Sequence, residues 1–406
     1  MMAETASSSE PQRCYSDRIC NPEATFEAIS PYLRPLGVTR LARVTGLDRI
    51  GIPVWNAVVP NSRSIVINQG KGIRDIDAKV SAAMEALERT IAGAPQIDVV
   101  ISAGRELRVS GVEIEPLACL TAAGQRDLGE EDETSWGRGR ELLSGGEVWV
   151  PLDAARLDRT IENCRYWQSS DGLASGNTLD EAIFHGLLER IERDAETLWK
   201  ITSLAGRLSY CIDPRSLQDP VIDDLCEMIK EAGLLLRFFD ITSDIGIPCF
   251  IAIIGPSAAA GRTTPCRFID VAQGNGAHPH PVRAAIRAIT EAAQSRLTFI
   301  SGARDDISPA AFFHPLPEDT RRLLEAAPKP LDTERGTTAR GLAPLMSYVL
   351  ERLENAGIRS AIALPLTRGE YPFAVCKVFV PQLENPDGKR RRRFGLRAIS
   401  RSLAFP

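Results

Sequence analysis

Apolar positions along the chain follow two periods. A spacing of three and four recurs over Pro22–Leu33, from about Asp75 to Ala92, over Leu179–Lys200, Ile222–Ala232 and Val282–Phe299, and over 341–356. That spacing lays one face of an α-helix against a core. Gly37 suits the end of the first helix. Short apolar runs bounded by turn residues predict strands at Ile52–Val59, Ser64–Asn68, Leu234–Asp240, Cys249–Ile254, near Ser360–Leu364, and at Phe373–Val380. Pro60-Asn61-Ser62 joins the first two as a hairpin. Residues 100–150 alternate strand-like pieces with polar loops, and Glu130–Glu133 reads as a solvated turn. Three glycine-bearing stretches read as loops: Gln69-Gly70-Lys71-Gly72, GLASGN at 172–177, and Gly274–Pro281. Strands and helices are interspersed without regular βαβ spacing or a solenoid repeat, which predicts an α+β fold.

Composition narrows the class. The 406 residues are 44% hydrophobic and 25% charged, ordinary for a globular chain with a sizeable core. The net charge of −5 and pI near 5.6 argue against a general nucleic-acid binder. No apolar run reaches transmembrane length, and the polar N-terminus has no signal-peptide core, so the expected place is the cytosol. The nine cysteines are scattered without a Cys-x-x-Cys pair and read as reduced thiols.

Three helices carry the candidate chemistry. The first holds Ser81, Glu85, Glu88 and Arg89; the second Glu189, Glu192 and Arg193; the third Arg287, Glu291, Gln294 and Arg296. Residues three or four apart share a helical face, so Glu85 and Glu88 point together, as do Glu189 and Glu192. Four hard oxygen ligands suit Mg²⁺ shared with phosphates, and the interleaved arginines suit two-point contact with phosphate. Each motif alone also describes a solvated charged face with intrahelical pairs. The neighbours Ala82, Ala83, Ala86, Ala182, Ala292 and Ala293 are small, which lets another element or a ligand come close. Thr178-Leu179-Asp180-Glu181 matches a capping box and Asn177 suits an N-cap; either could instead meet an anion at the helix start. Gln69–Gly72 lacks the phosphate-loop pattern, no Gly-x-Gly-x-x-Gly follows a strand, and the four histidines form no metal pattern. The basic run Lys389–Arg393 reads as a solvated tail or a contact for an acidic partner.

Several of these stretches, in order, resemble the YcaO family. They are TRLARVTGLDRIGIPV at 39–54, GKGI…SAAMEALER at 70–89, GLASGNTLDEAI…LLERIERDA at 172–195 and RAAIRAITEAAQSRL at 283–297. FISGARDD at 299–306 is similar to the branch encoded beside TfuA proteins. The resemblance runs from about residue 15 to 385. It implies an α+β nucleotide-binding fold of mixed and antiparallel sheets with flanking helices, neither P-loop nor Rossmann. It divides the chain into a flexible segment at 1–20, a YcaO domain at 21–385 of several packed subdomains, and a basic tail at 386–406.

The implied activity is phosphorylation of a peptide backbone amide by Mg·ATP, giving azolines, thioamides or amidines. By motif position, Glu85, Glu88, Glu189 and Glu192 would hold Mg²⁺. Asn177, Glu181, Arg193, Arg287 and Glu291 would contact ATP, with Ser81 and Gln294 in support. Arg18 and Thr25 match positions expected to reach ATP, although this chain has Tyr15-Ser16-Asp17-Arg18 where the family more often has Gly-Thr-x-Arg. No catalytic base is named. Many azoline-forming members end in Pro-x-Pro-x-Pro, whereas this chain ends Leu403-Ala404-Phe405-Pro406 and carries no fused leader-recognition domain. The reading is therefore thioamide formation on a peptide or protein substrate with a TfuA-type partner, an azoline cyclodehydratase or a non-catalytic ATP-binding scaffold being the alternatives. Nucleic acid and membrane are not expected partners, and the oligomeric state stays open, a homodimer among the options.

Overall fold

The structure is a computed structural model that describes residues 15–257, 266–331 and 336–404. Most of the expected flexible segment, residues 1–14, lies outside them. In chain order, α1 (Pro22–Leu33) precedes β1 (Arg40–Arg43), β2 (Val54–Val58) and β3 (Ile67–Lys71), an antiparallel three-stranded sheet backed by α2 (Asp75–Gly93). Then follow β4 (Val99–Ala103), α3 (Gly104–Val109), β5 (Glu133–Glu141), β6 (Glu147–Pro151), α4 (Leu152–Ala155) and β7 (Leu173–Gly176), which leads into α5 (Leu179–Lys200). Next are α6 (Leu204–Ser209), β8 (Cys211–Ile212), α7 (Pro220–Glu231), β9 (Leu234–Asp240), β10 (Cys249–Pro256), β11 (Ala272–Ala277) and α8 (Pro281–Ser301). The chain closes with α9 (Glu318–Leu324), α10 (Leu342–Asn355), β12 (Ile362–Pro365), β13 (Ala374–Phe379) and α11 (Leu396–Ala404).

A second sheet runs β4-β5-β12-β13-β7 with β6 on β5, and a third runs β11-β10-β9-β8. Every pair within the three sheets is antiparallel. The α+β expectation holds. Among the described residues no helix is long and apolar enough to cross a membrane.

Three of the expected loops are strands. Gln69–Lys71 belongs to β3, Leu173–Gly176 is β7, and Gly274–Ala277 belongs to β11. Their glycines hide the strand signal, and packing requires those glycines. A Cβ on Gly70 would lie 2.0 Å from the Ala82 amide nitrogen in α2. On Gly274 it would lie 2.1 Å from the Ala292 nitrogen in α8, and on Gly176 2.7 Å from the Ala182 nitrogen in α5. Each strand glycine faces buried alanines of the helix that follows it, so the two backbones nearly touch.

The basic run is not wholly a solvated tail. Arg390 is buried, and its guanidinium is held by the carbonyls of Asn385 and Pro386. Beyond it, the buried Glu384 carboxylate accepts the backbone N–H groups of Gly395 and Ala398 at the start of α11, at 2.7 and 2.8 Å. Arg397 then clamps the buried Asp194 of α5 through two bonds of 2.9 Å.

Candidate functional site

Each glycine–alanine contact brings a helix carboxylate back onto its own strand. Glu85 accepts the Gln69 N–H at 3.1 Å and Glu291 accepts the Asn275 N–H at 3.2 Å. Glu189 accepts the Gly172 N–H, just before β7, at 3.3 Å. A second set of bonds joins each helix to the next strand–helix unit. Ser175 of β7 donates to Glu88 of α2 at 3.0 Å, and Gln273 of β11 donates to Glu196 of α5 at 3.0 Å. Lys71 of β3 closes the circle on Glu291 of α8 at 2.5 Å. The expected carboxylates of α2, α5 and α8 are thereby drawn to one place.

At this range they act on one another's charge. Burial, then Glu189 and Glu85, push the Glu88 carboxyl well above its usual range. Burial also raises Glu189, against the pull of Arg193. Burial and then Glu291 push Glu192 up to about 7. Against this negative charge stands Arg193, whose guanidinium reaches Asp171 at 3.3 Å, Glu189 at 3.4 Å, Glu196 at 3.5 Å and Glu192 at 3.6 Å. Arg89 pairs with Glu85 at 3.0 Å.

The remaining expected residues sit around the start of α5 and along α8. Thr178 is the N-cap and accepts the Glu181 N–H at 3.3 Å. The reciprocal half of the capping box goes elsewhere. The buried Glu181 carboxylate takes the Asn177 backbone and side-chain amides at 2.8 and 2.9 Å, the Ile19 N–H, and Arg18 at 3.4 Å. Thr25 donates to the Asn177 side chain at 2.8 Å, which ties α1 to the same corner. Arg287 contacts His185 of α5 at 3.3 Å, and its buried Nε has no hydrogen-bond partner among the described residues. Burial and then Arg287 hold His185 well below the usual histidine range, so it faces Arg287 as a neutral ring. Ser81 and Gln294 are half-buried on the motif-bearing helices, and the Gln294 backbone carbonyl accepts from Thr298.

Lys71, His185, Asp171, Ser175 and Glu196 were not among the expected site residues, yet each touches one that was. Lys71 had a visible signal in Gln69–Gly72, which fails as a phosphate loop but presents its lysine beside a close-packed strand. The others enter through tertiary contact and carry no local pattern.

Mg²⁺ and a nucleotide fit what these residues offer. The buried Glu192 and the half-buried Glu88 and Glu189 are held high by desolvation and by neighbouring carboxylates, a charge that a divalent cation would offset beyond what Arg193 and Arg89 supply. The free Arg287 Nε and the cationic Arg18 and Lys71 are donors for an anion. Among the described residues no three His, Cys, Asp or Glu side chains form a ready cage for one ion.

Comparison with known proteins identifies the family. The model of the YcaO cyclodehydratase family, ATP- and Mg²⁺-binding, matches residues 69–384. An uncharacterized protein in the tfuA 3′ region of Rhizobium leguminosarum bv. trifolii is 38% identical over 95% of this chain and 93% of its own. One from Methanothermobacter thermautotrophicus is 32% identical over 89% of this chain and 94% of its own. Among solved structures, YcaO from Methanopyrus kandleri bound with AMPPCP and Mg²⁺ superposes with a TM-score of 0.68 at 23% identity, over 90% of this chain and 92% of that one. A heterocyclase in complex with substrate and cofactor superposes with a TM-score of 0.73 at 21% identity; this chain covers 56% of it and is itself covered over 93%. The chain belongs to the YcaO family, and ATP with Mg²⁺ is its cofactor pair.

Proposed function

We propose that this protein activates a peptide backbone amide with Mg·ATP, and that its product is a thioamide made together with a TfuA-type partner. The observation that supports amide activation is the ring of hydrogen bonds that joins carboxylates of α2, α5 and α8 to neighbouring strands, with Arg193 among those of α5 and the Arg287 Nε of α8 unpartnered among the described residues. The thioamide reading is supported by the 38% identity to a protein of the tfuA 3′ region.

An amide carbonyl is a poor electrophile, and its oxygen is a poor leaving group. ATP with Mg²⁺ supplies the phosphoryl group that corrects both defects. The residues of this chain contribute position and charge. Glu85, Glu88, Glu189 and Glu192 would hold Mg²⁺, and Arg193 keeps the last two oriented through its contacts at 3.4 and 3.6 Å. Arg287 and Arg18 would meet phosphate oxygens, Arg287 offering two-point geometry. Asn177, fixed by Glu181 and Thr25, would bind the nucleotide at the start of α5. Glu291, held by Lys71 and the Asn275 amide, fixes the third wall. Ser81 and Gln294 extend the site along α2 and α8.

The family's description as cyclodehydratases supports a second reading, azoline formation at Cys, Ser or Thr. Mass spectrometry of a precursor peptide co-expressed with this protein, with and without the TfuA-type partner, separates the two. Exchange of oxygen for sulfur that depends on the partner is the expected result. Loss of water at Cys, Ser or Thr without sulfur gain would replace it with the azoline reading. An unmodified peptide with no ATP consumed would leave a scaffold.

A further inference from the structure

Between α5 and β13 lies a small cavity of about 20 Å³. It lies between Trp167, Ser169, Asp171, Arg190, Lys377 and Arg390. Room on the order of 10–15 Å³ already admits one water-sized occupant. The lining is unusual in its charge. Arg190, Lys377 and Arg390 are 3%, 3% and 6% exposed, and Asp171 is the single carboxylate that lines the cavity with them.

The hydrogen bonds of the three cations go to neutral oxygens. Arg190 Nη2 donates to the Glu384 carbonyl at 2.8 Å, and Lys377 Nζ to the Ser169 carbonyl at 2.5 Å. Arg390 Nη2 donates to the carbonyls of Asn385 and Pro386. Asp171 is already engaged by Ser169 and by Arg193 at 3.3 Å. The charges of Asp171, Glu189 and Glu88 also act on Lys377. Arg190 Nη1 is buried and has no hydrogen-bond partner among the described residues. A guanidinium N–H left bare in the interior loses its hydration without replacement, a cost that an anion removes.

We infer that this cavity is a binding site for one halide-sized monovalent anion, chloride under ordinary conditions, held by Arg190 with Lys377 and Arg390. A halide would add negative charge beside Asp171, the lone lining carboxylate, and would give Arg190 Nη1 a partner. The occupant would sit between β13, which carries Lys377, and α5, which carries Arg190 and Glu189, and so brace the wall that holds the carboxylates. This site is independent of which bond the enzyme makes.

The probe is sodium bromide, titrated into the full-length protein against sodium gluconate at constant ionic strength. The melting temperature is expected to rise saturably with bromide, by about 2 °C. Crystals grown in bromide should show an anomalous peak within hydrogen-bond reach of Arg190 Nη1. Arg190→Gln keeps an amide donor for the Glu384 carbonyl but lacks the charge; its bromide-dependent rise should vanish while its circular dichroism stays native. No anomalous peak in the cavity would overturn the inference in favour of a water, whether or not the variant folds. An equal bromide response in wild type and a folded Arg190→Gln protein would overturn it in favour of surface ion effects.

Discussion

Glu192 is 4% exposed, faces Glu291 from the neighbouring helix, and shares Arg193 with three other carboxylates. Burial, then Glu291, raise its pKa to about 7. A carboxyl raised in the folded state stabilises the fold fully below its unfolded pKa, and that contribution is lost as pH rises through the folded value. Without nucleotide, the protein should therefore lose stability between about pH 4.5 and 7, by on the order of 3 kcal/mol for this group. Glu192→Gln has no such titration, so urea unfolding at pH 5 and pH 7.5 should show the variant gaining on wild type as pH rises. A pH-independent difference would mean that Glu192 is ionised throughout. Arg193 sets the opposite charge. Lysine could reach one carboxylate but could not bridge Asp171, Glu189, Glu192 and Glu196 together, because its ammonium is a single point. Arg193→Lys should cut ATP turnover roughly 10- to 100-fold, about 1.4–2.8 kcal/mol of transition-state stabilisation. Wild-type turnover would remove Arg193 from the site.

The elements were unequally legible. Helices α2, α5, α7 and α8 follow from apolar periodicity because each lays a buried face on a sheet, and α10 because its Leu345, Val349 and Leu353 stripe packs on α5. Of β3 only Ile67 and Asn68 fall in an expected strand, correctly paired with β2, and β7 and β11 do not read as strands, since Gln69-Gly70, Ser175-Gly176 and Asn275-Gly276 are turn-like by residue type. What makes them strands is tertiary: antiparallel partners on one side, and a helix backbone too close for any Cβ on the other. The buried alanines on α2, α5 and α8 were the readable half of that contact; the glycines they face were misassigned to loops. The carboxylates were readable for the same reason, as they share faces with those alanines, whereas Asp171 and Lys71 needed the fold. This contact can be tested directly. Gly274→Ala would place a methyl 2.1 Å from the Ala292 nitrogen and should destabilise by about 3 kcal/mol or more. Gly46→Ala meets nothing within 4 Å and should stay within about 0.5 kcal/mol of wild type. Equal midpoints for the two in urea unfolding would mean that β11 and α8 are not held this tightly.

Across the whole molecule, the three strand–helix units form a ring. α2 packs on its own β3 and touches β7, α5 packs on β7 and touches β11, and α8 packs on β11 and touches β3. The links Glu88–Ser175, Glu196–Gln273 and Glu291–Lys71 repeat that order in hydrogen bonds. Each unit has its own surroundings in the three large apolar clusters, one around α5 and the third sheet, one between α2 and the second sheet, and one under α7 and α8. The units thus owe their stability to separate cores and meet through charged and polar groups at the centre. A ligand that neutralises the centre would act on the joints through Glu88 and Glu291, which it would meet, and through Arg193, which links Glu189 and Glu192 to Glu196. Hydrogen exchange with Mg²⁺ and AMPPCP should therefore slow amides in α2, α5 and α8 together. Glu85→Gln exchanges one Mg²⁺ ligand on α2 for a neutral amide while leaving the other two helices untouched. In that variant, at a nucleotide concentration that saturates wild type, protection should fall in α5 and α8 as well as in α2. Loss confined to α2 would mean that the three helices answer the nucleotide separately and that the ring of contacts does not join them into one site.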